Sequence, residues 1–425
     1  MKTPVQEHPL RGRKLYIPPM AYGSASALAA VFRSLGVDAQ PTPPSNERTL
    51  ELGGRYASGD ECHPEKVTLG DFLRITEEKD FDPEKTAFFM PTAGGPCRFG
   101  QYSNLLRAVL DDLGLENVLV FAPTSKDGYA GIGTENVERA AWRALVGADV
   151  LRKMQLRTRP FETVKGDTDT VYHEGIQRLI EVLEKQGLST GKRLDRIVEV
   201  LTISRDAFRA LPSRYDPSRP LIGIVGEIFC RLNRFANEDL ARKVEEQGGV
   251  TWLSDICEWV WYTNSEKKIR IRDEGKNVAA RLAKQKVTAF VQHADEHAMY
   301  KPFEEDFVGF EEPESIEEVL DLARPYLPQR GALGEMILSV GKTCYLHKKG
   351  ADGVIDISPF SCMNGIVCEA IYPRISEDHD DMPIRNFYFD GTQVDMEQQI
   401  GIFIELARSY QARKKTERRH PKSFA

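Results

Sequence analysis

The chain has no Cys-x-x-Cys pair anywhere in its 425 residues, so neither a zinc ribbon nor a ferredoxin-type cysteine run is written locally. It also lacks any run of about 18 apolar residues, the length a membrane-spanning helix needs. Its first dozen residues, Met1 to Gly12, are polar, contain Pro4 and Pro9, and lack the apolar stretch of a secretory signal. A soluble protein of a reducing cytoplasm is expected, with no membrane. No Gly-x-x-x-x-Gly-Lys-Ser/Thr phosphate loop and no Asp/Gly phosphate signature of an ATPase occurs, so ATP hydrolysis by this chain is not expected. There is no excess of positive charge: the net charge of −7 argues against a nucleic-acid surface. The one basic cluster, Arg413 to Lys415 with Arg418 and Arg419, lies in the tail and reads as a solvated helix end.

What is present is a 41% hydrophobic content, enough for sizeable cores in two or three domains. From Lys14 onward strand, loop and helix alternate, which calls for a mostly parallel sheet. Apolar runs at Leu15–Ile17, Ala87–Met90 and Val118–Phe121 read as strands; helical spacing covers Ala25–Leu35, Thr68–Thr76 and Ser103–Leu113. Between Gly133 and Leu211 strand signals vanish, and helices are expected over Arg139–Met154, Thr170–Gln186 and Arg193–Ala210. Past the Pro217 and Pro220 boundary the α/β rhythm resumes, with strands at Leu221, Val250, Gly353 and Ile384. Helices are expected over Asn237–Gln247, as one long charged element over Lys267–Lys301, and over Met396–Lys414. The expected fold is α/β: two Rossmann/flavodoxin-like lobes with parallel sheets and a helical connecting region. The divisions are an N-terminal tail 1–13, lobe one 14–131, the helical region 132–218, lobe two 219–415 and a tail 416–425.

Seven cysteines, an odd number in a large chain, disfavour a disulfide framework and favour metal or redox chemistry. Five are placed in loops: Cys62, Cys97, Cys230, Cys257 and Cys362. The last four follow strand-like runs, and in open α/β sheets ligands collect beyond the carboxyl ends of the strands. Thiolates are the ligands that iron–sulfur clusters and other soft sites require, and distant cysteines converge when each sits on a rigid loop. Gly94, Gly95 and Gly100 around Cys97, and Pro359 and Gly365 around Cys362, describe turns that bring peptide N–H groups close to a bound species. Each cysteine taken alone also suits a small buried hydrophobe, and Cys344 and Cys368, inside helical stretches, read as structural.

The segments Ser58-Gly59-Asp60-Glu61-Cys62-His63-Pro64-Glu65-Lys66, Gly95-Pro96-Cys97-Arg98-Phe99-Gly100-Gln101-Tyr102 and Pro359-Phe360-Ser361-Cys362-Met363-Asn364-Gly365 resemble the 2-hydroxyacyl-CoA dehydratase D-component superfamily, in its activator-associated branch. Gly226 to Asn233 and Phe387 to Thr392 resemble the same branch. The resemblance implies two α/β lobes with an oxygen-sensitive [4Fe-4S] cluster between them, bound by Cys62, Cys97 and Cys362, in an anaerobic, cytoplasmic protein. It implies low-potential electrons from an ATP-dependent activator of actin/hexokinase-like fold, and a homodimer or a heterodimer with a related subunit. A related member type holds a double-cubane cluster and reduces small molecules. The chain departs from the dehydratase pattern in its extra thiols: Cys230 could complete four-cysteine ligation and close the site.

Beside these cysteines, Glu61, His63 and Arg98 are charged donors that could tune a cluster or protonate a substrate, and Glu227 is a buried acid or a helix cap. The bland alternative for the first group is a surface turn with Lys66 pairing Glu61. His293-Ala294-Asp295-Glu296-His297 matches the inverted zinc-protease pattern, but in so charged a stretch it reads as a solvated helix face. The readings are therefore an iron–sulfur reductase or dehydratase-type lyase, a non-catalytic electron-transfer subunit with a fully cysteine-ligated cluster, and a metal-free binding protein using the interlobe cleft.

Overall fold

A computed structural model describes residues 9–95, 97–124, 135–331, 334–392 and 395–421; Pro96 and the 131/132 division lie outside them. The first lobe is a four-stranded parallel sheet of β1 (Lys14–Ile17), β2 (Asp38–Pro41), β3 (Thr86–Phe89) and β4 (Leu119–Phe121), in the order β2-β1-β3-β4. The second lobe repeats that order with β5 (Leu221–Gly226), β6 (Val250–Leu253), β7 (Gly353–Pro359) and β8 (Ile384–Phe389), arranged β6-β5-β7-β8 and again all parallel. The central strands β3, β5 and β7 are buried along their whole length, which is why they appear in the sequence as continuous apolar runs rather than alternating ones. In each sheet the chain reverses direction of travel across the first strand, so the loops after β1 and β3, and after β5 and β7, flank a topological switch point.

Three helices, Glu135–Thr158, Asp167–Glu184 and Thr190–Arg209, fill the stretch between the lobes. Leu151 and Val150 of the first share one core with Ala27, Ala30 and Val31 of lobe one and with Val225 and Trp252 of lobe two. Among the described residues no helix is long and apolar enough to cross a membrane.

Four expectations change. The charged stretch is two helices, Ile256–Glu274 and Val278–Tyr300, because the chain turns back through Gly275 (φ 68°) and Asn277 (φ 48°). His293 and His297 are exposed as expected, but Asp295 beside them is not: its buried carboxylate accepts from Arg139 and Arg143 at 2.7–2.9 Å, while His293 stacks on Trp261 at 4.0 Å. Nor is the basic tail merely a solvated end, since Lys414 pairs with the fully buried Asp352 at 2.7 Å and Arg418 lies over Phe310. A helix unforeseen in the sequence, Glu47–Tyr56, starts from an Asn46–Thr49 capping box. It crosses the helix His63–Thr76 so closely that a Cβ on Gly53 would lie 1.9 Å from the Lys66 carbonyl oxygen, and one on Gly70 1.9 Å from that of Thr49.

Candidate functional site

Cys62, Cys97 and Cys362 each occupy the same local position: the extended N-cap residue of a helix, respectively His63–Thr76, the short 3-10 turn Arg98–Gln101, and Met363–Asp378. An N-cap side chain faces the unsatisfied N–H groups of the first turn. None of the three thiols accepts a capping hydrogen bond, and the Glu65 N–H goes to the Cys62 carbonyl oxygen at 3.0 Å, but the first-turn N–H groups lie near enough to favour charge on each sulfur. Serine, threonine and aspartate normally fill this position; a cysteine there presents sulfur to the N-terminal end of a helix. Ser361, with φ 64°, makes the left-handed turn that delivers Cys362 from the end of β7.

The fourth element is the end of β5. Gly226, at φ 111°, turns the chain so that Glu227 caps the helix Ile228–Leu232, its carboxylate accepting from Phe229 N at 3.0 Å and Cys230 N at 2.8 Å. A side chain on Gly226 is excluded, because its Cβ would sit 2.1 Å from the Ile357 carbonyl oxygen. The charge of Glu227 is felt by Cys62, Cys97, Cys230 and Cys362 alike. Cys62 and Cys97 also act on one another, and Cys230 on both Cys62 and Cys362. Loops from both lobes thus bring all four cysteines within electrostatic reach of one carboxylate. The loops are linked directly: Cys62 Sγ lies 2.8 Å from Tyr102 Oη, and Arg98 Nη1 donates to Ser361 Oγ at 3.3 Å.

Burial sets the electrostatics. It pushes the thiols of Cys62, Cys97 and Cys362 up to about 12, with Glu227 adding to all three, Glu65 to Cys62, and Glu335 to Cys97 and Cys362. Cys97 is exposed as a residue, but its sulfur is crowded by Glu335, Glu227 and Cys62. The Cys230 thiol, fully buried and bonded to Glu227, is raised well above the usual range. The carboxyls follow: burial raises Glu227, and burial together with Glu227 raises Glu335. Glu65 is pushed up to about 7 by burial and by Glu61, against the pull of Arg98. The whole site is short of positive charge, and a thiol beside a metal cation loses its proton outright. The compensating cations at hand are Arg98 at the surface and the buried Arg231, which donates to Gly226 O at 3.0 Å and to Asp255 O at 3.3 Å.

The remaining residues singled out in the sequence fall as follows. Cys230 and Cys257 lie in the first turns of helices rather than in loops, since the chain coils immediately beyond β5 and β6. Cys257 is buried among Asp149, Asp255 and Glu296. Cys344 is buried in the helix Glu335–Lys348, and Cys368, also buried, donates to Met336 O at 3.5 Å. His63 is not a charged donor: it is buried, and desolvation with the nearby Lys66 pushes it down to about 4. Glu61 does not pair with Lys66; its carboxylate accepts from Ser58 N and Gly59 N at 2.8 and 3.0 Å, closing its own turn. Sequence reasoning overlooked Tyr102, Glu65 and Glu335. The first two stand inside the motifs already quoted; Glu335, whose Oε2 accepts from Asn364 at 2.9 Å, had no local signal.

Among the described residues no three His, Cys, Asp or Glu side chains are arranged to hold one metal ion. No protein-family model matches the chain, and no curated protein matches it.

Proposed function

We propose that this chain is an iron–sulfur protein with its cluster between the two lobes, held by Cys62, Cys97 and Cys362. The observation that carries the reading is the shared N-cap placement of these three cysteines, from both lobes, each within electrostatic reach of Glu227. A donor set made only of sulfur suits iron–sulfur chemistry. Cysteines of a cluster each take a different iron, so they surround a larger volume than the ligands of one ion, in keeping with thiols that sense each other's charge without sharing a single-ion site. The helix N-termini at which the three sulfurs stand would favour thiolate and tune the group's potential. When bound, such a cluster supplies a low-potential electron and, at an iron without a thiolate, a position for substrate.

The motif resemblance supports the rest of the reading: reductive or dehydratase-type chemistry, with electrons delivered by an ATP-dependent activator. The protein's own residues would place a proton reservoir beside the site, in Glu65 and Glu335, and a cation, Arg98, at its mouth. Seven cysteines, none in a disulfide, fit a reducing compartment.

The alternative is an electron relay in which Cys230 supplies a fourth thiolate; its closeness to Cys62 and Cys362 favours that reading. The open site is preferred because Cys230 lies fully buried inside the first turn of the helix Ile228–Leu232, whereas the other three cysteines stand at helix N-caps. Iron and sulfide analysis of anaerobically purified protein tests the proposal: both should be present, and Cys97→Ala and Cys362→Ala should each lower them. A protein without iron, or full retention in both variants, overturns it. Azide or an acyl-CoA should then perturb the cluster spectrum; an unchanged spectrum in every redox state would select the relay.

A further inference from the structure

Tyr102 begins the helix Tyr102–Asp112, immediately after the 3-10 turn that Cys97 caps. A side chain in the first turn of a helix leans back toward the N-terminus, and this one reaches across to the other lobe-one motif, 40 residues earlier in the chain, to meet Cys62 Sγ at 2.8 Å. The ring is buried at 9% exposure, held edge-on by Phe99 at 5.3 Å, and packed in the lobe-one core with Leu69, Phe72 and Leu106. Among the described residues the hydroxyl has no hydrogen-bond partner besides Cys62. A buried phenol without a partner would cost about 1–3 kcal/mol, so the ring is committed to that sulfur.

Two neutral groups leave the direction of the bond open, since either could donate. A thiolate does not: it has no proton, so the phenol must donate and the sulfur must accept. The direction of the bond is therefore fixed once Cys62 carries negative charge, and the donor acts most strongly when that charge is greatest.

We propose that Tyr102 is a potential-setting residue: its hydroxyl donates to the Cys62 thiolate and makes the bound cluster easier to reduce. The inference rests on the cluster reading above. Reduction adds an electron that spreads onto the cysteine sulfurs, and a hydrogen bond aimed at one of them stabilises the reduced form more than the oxidised one. Among the described residues neither Cys97 nor Cys362 has a side-chain donor to its sulfur comparable to Tyr102, so Cys62 is the sulfur whose electron density this chain controls by a removable group.

The test is Tyr102→Phe, which keeps the ring and its packing and removes only the hydroxyl. In anaerobic redox titration followed by electron paramagnetic resonance, the variant should keep its iron and sulfide, and its midpoint should move to a more negative value. The expected shift is roughly tenfold in the reduction equilibrium, or ~59 mV for one electron. Iron retained with an unmoved or more positive midpoint would overturn the tuning role and leave the cluster reading intact. Loss of iron from a variant with unchanged circular dichroism would also overturn it, by making Tyr102 a structural prop for Cys62. Wild-type protein lacking iron and sulfide would remove the cluster reading and this inference with it.

Discussion

Arg98 and Ser361 join the two lobes across 263 residues of sequence, the guanidinium donating to the hydroxyl at 3.3 Å, and each stands next in the chain to a cysteine, Cys97 and Cys362 respectively. Both side chains are exposed, so the bond adds little to global stability; its effect is local, on how firmly the Cys97 and Cys362 loops hold together. Arg98→Ala is expected to leave the denaturation midpoint essentially unchanged while amide hydrogen exchange speeds up in both 97–101 and 359–363. Faster exchange in only one loop would show that the contact does not couple them.

Cys257 and Cys344 separate ligand thiols from packing thiols. Both are buried, Cys344 within an apolar cluster and Cys257 at the edge of one, beside Asp149, Asp255 and Glu296. Alanine at either should leave iron content at the wild-type level and cost about 1 kcal/mol in urea denaturation, the usual loss for a trimmed core side chain. A drop in iron in Cys257→Ala would argue for a larger cluster.

Glu296 makes folding stability depend on pH. Burial pushes its carboxyl from 4.5 up to about 8, with Trp261 Nε1 donating to it at 3.0 Å. Between those two values the folded state holds a proton that the unfolded state has released, so stability falls as pH rises from about 4.5 to about 8 and levels off above. Glu296→Gln keeps an acceptor for Trp261 and cannot ionise. It should therefore be more stable than wild type at pH 9, by about 1–3 kcal/mol, and equal to it near pH 4.5. Denaturant titrations at the two pH values decide it; equal stability at pH 9 would show that the carboxyl is not shifted.

Gly70 is where the Cys62-bearing helix touches the helix Glu47–Tyr56. A methyl group there meets the Thr49 carbonyl oxygen at 1.9 Å, backbone that cannot give way cheaply. Gly70→Ala should cost about 1–3 kcal/mol and, by tilting the helix that Cys62 caps, lower iron occupancy as well. Iron content equal to wild type in a destabilised protein would mean that the Cys62 loop is positioned independently of that crossing.

The central strands could be read from the sequence because burial on both faces leaves a parallel strand no polar positions: Ala87–Phe89, Leu221–Val225 and Gly353–Ile357 are all apolar or nearly so. Cys97, Cys362 and Glu227 were legible for the same reason, since each stands just past such a strand. The helix Glu47–Tyr56 was not, because Gly53-Gly54 looks like a breaker; Gly53 is in fact demanded by a close approach to another helix, which is a tertiary requirement with no local trace. The partners of the cysteines were hidden likewise. Tyr102 matters because it meets Cys62, and Glu335 because Asn364 holds it near Cys97 and Cys362; neither relationship exists until the loops have come together. Asp295 shows the opposite error, a charge assigned to water that is instead locked between two arginines.

Drawing sulfur donors from both lobes also orders events in time. At roughly 5–20 residues per second, synthesis of the 263 residues between Arg98 and Ser361 takes on the order of 13–50 s. During that interval Cys62 and Cys97 have emerged and Cys362 has not. A nascent chain thus carries two unpaired thiols on a finished first lobe well before the third can arrive; on the proposed reading, a cluster could be inserted only after translation, and oxidation of that early pair would forestall it.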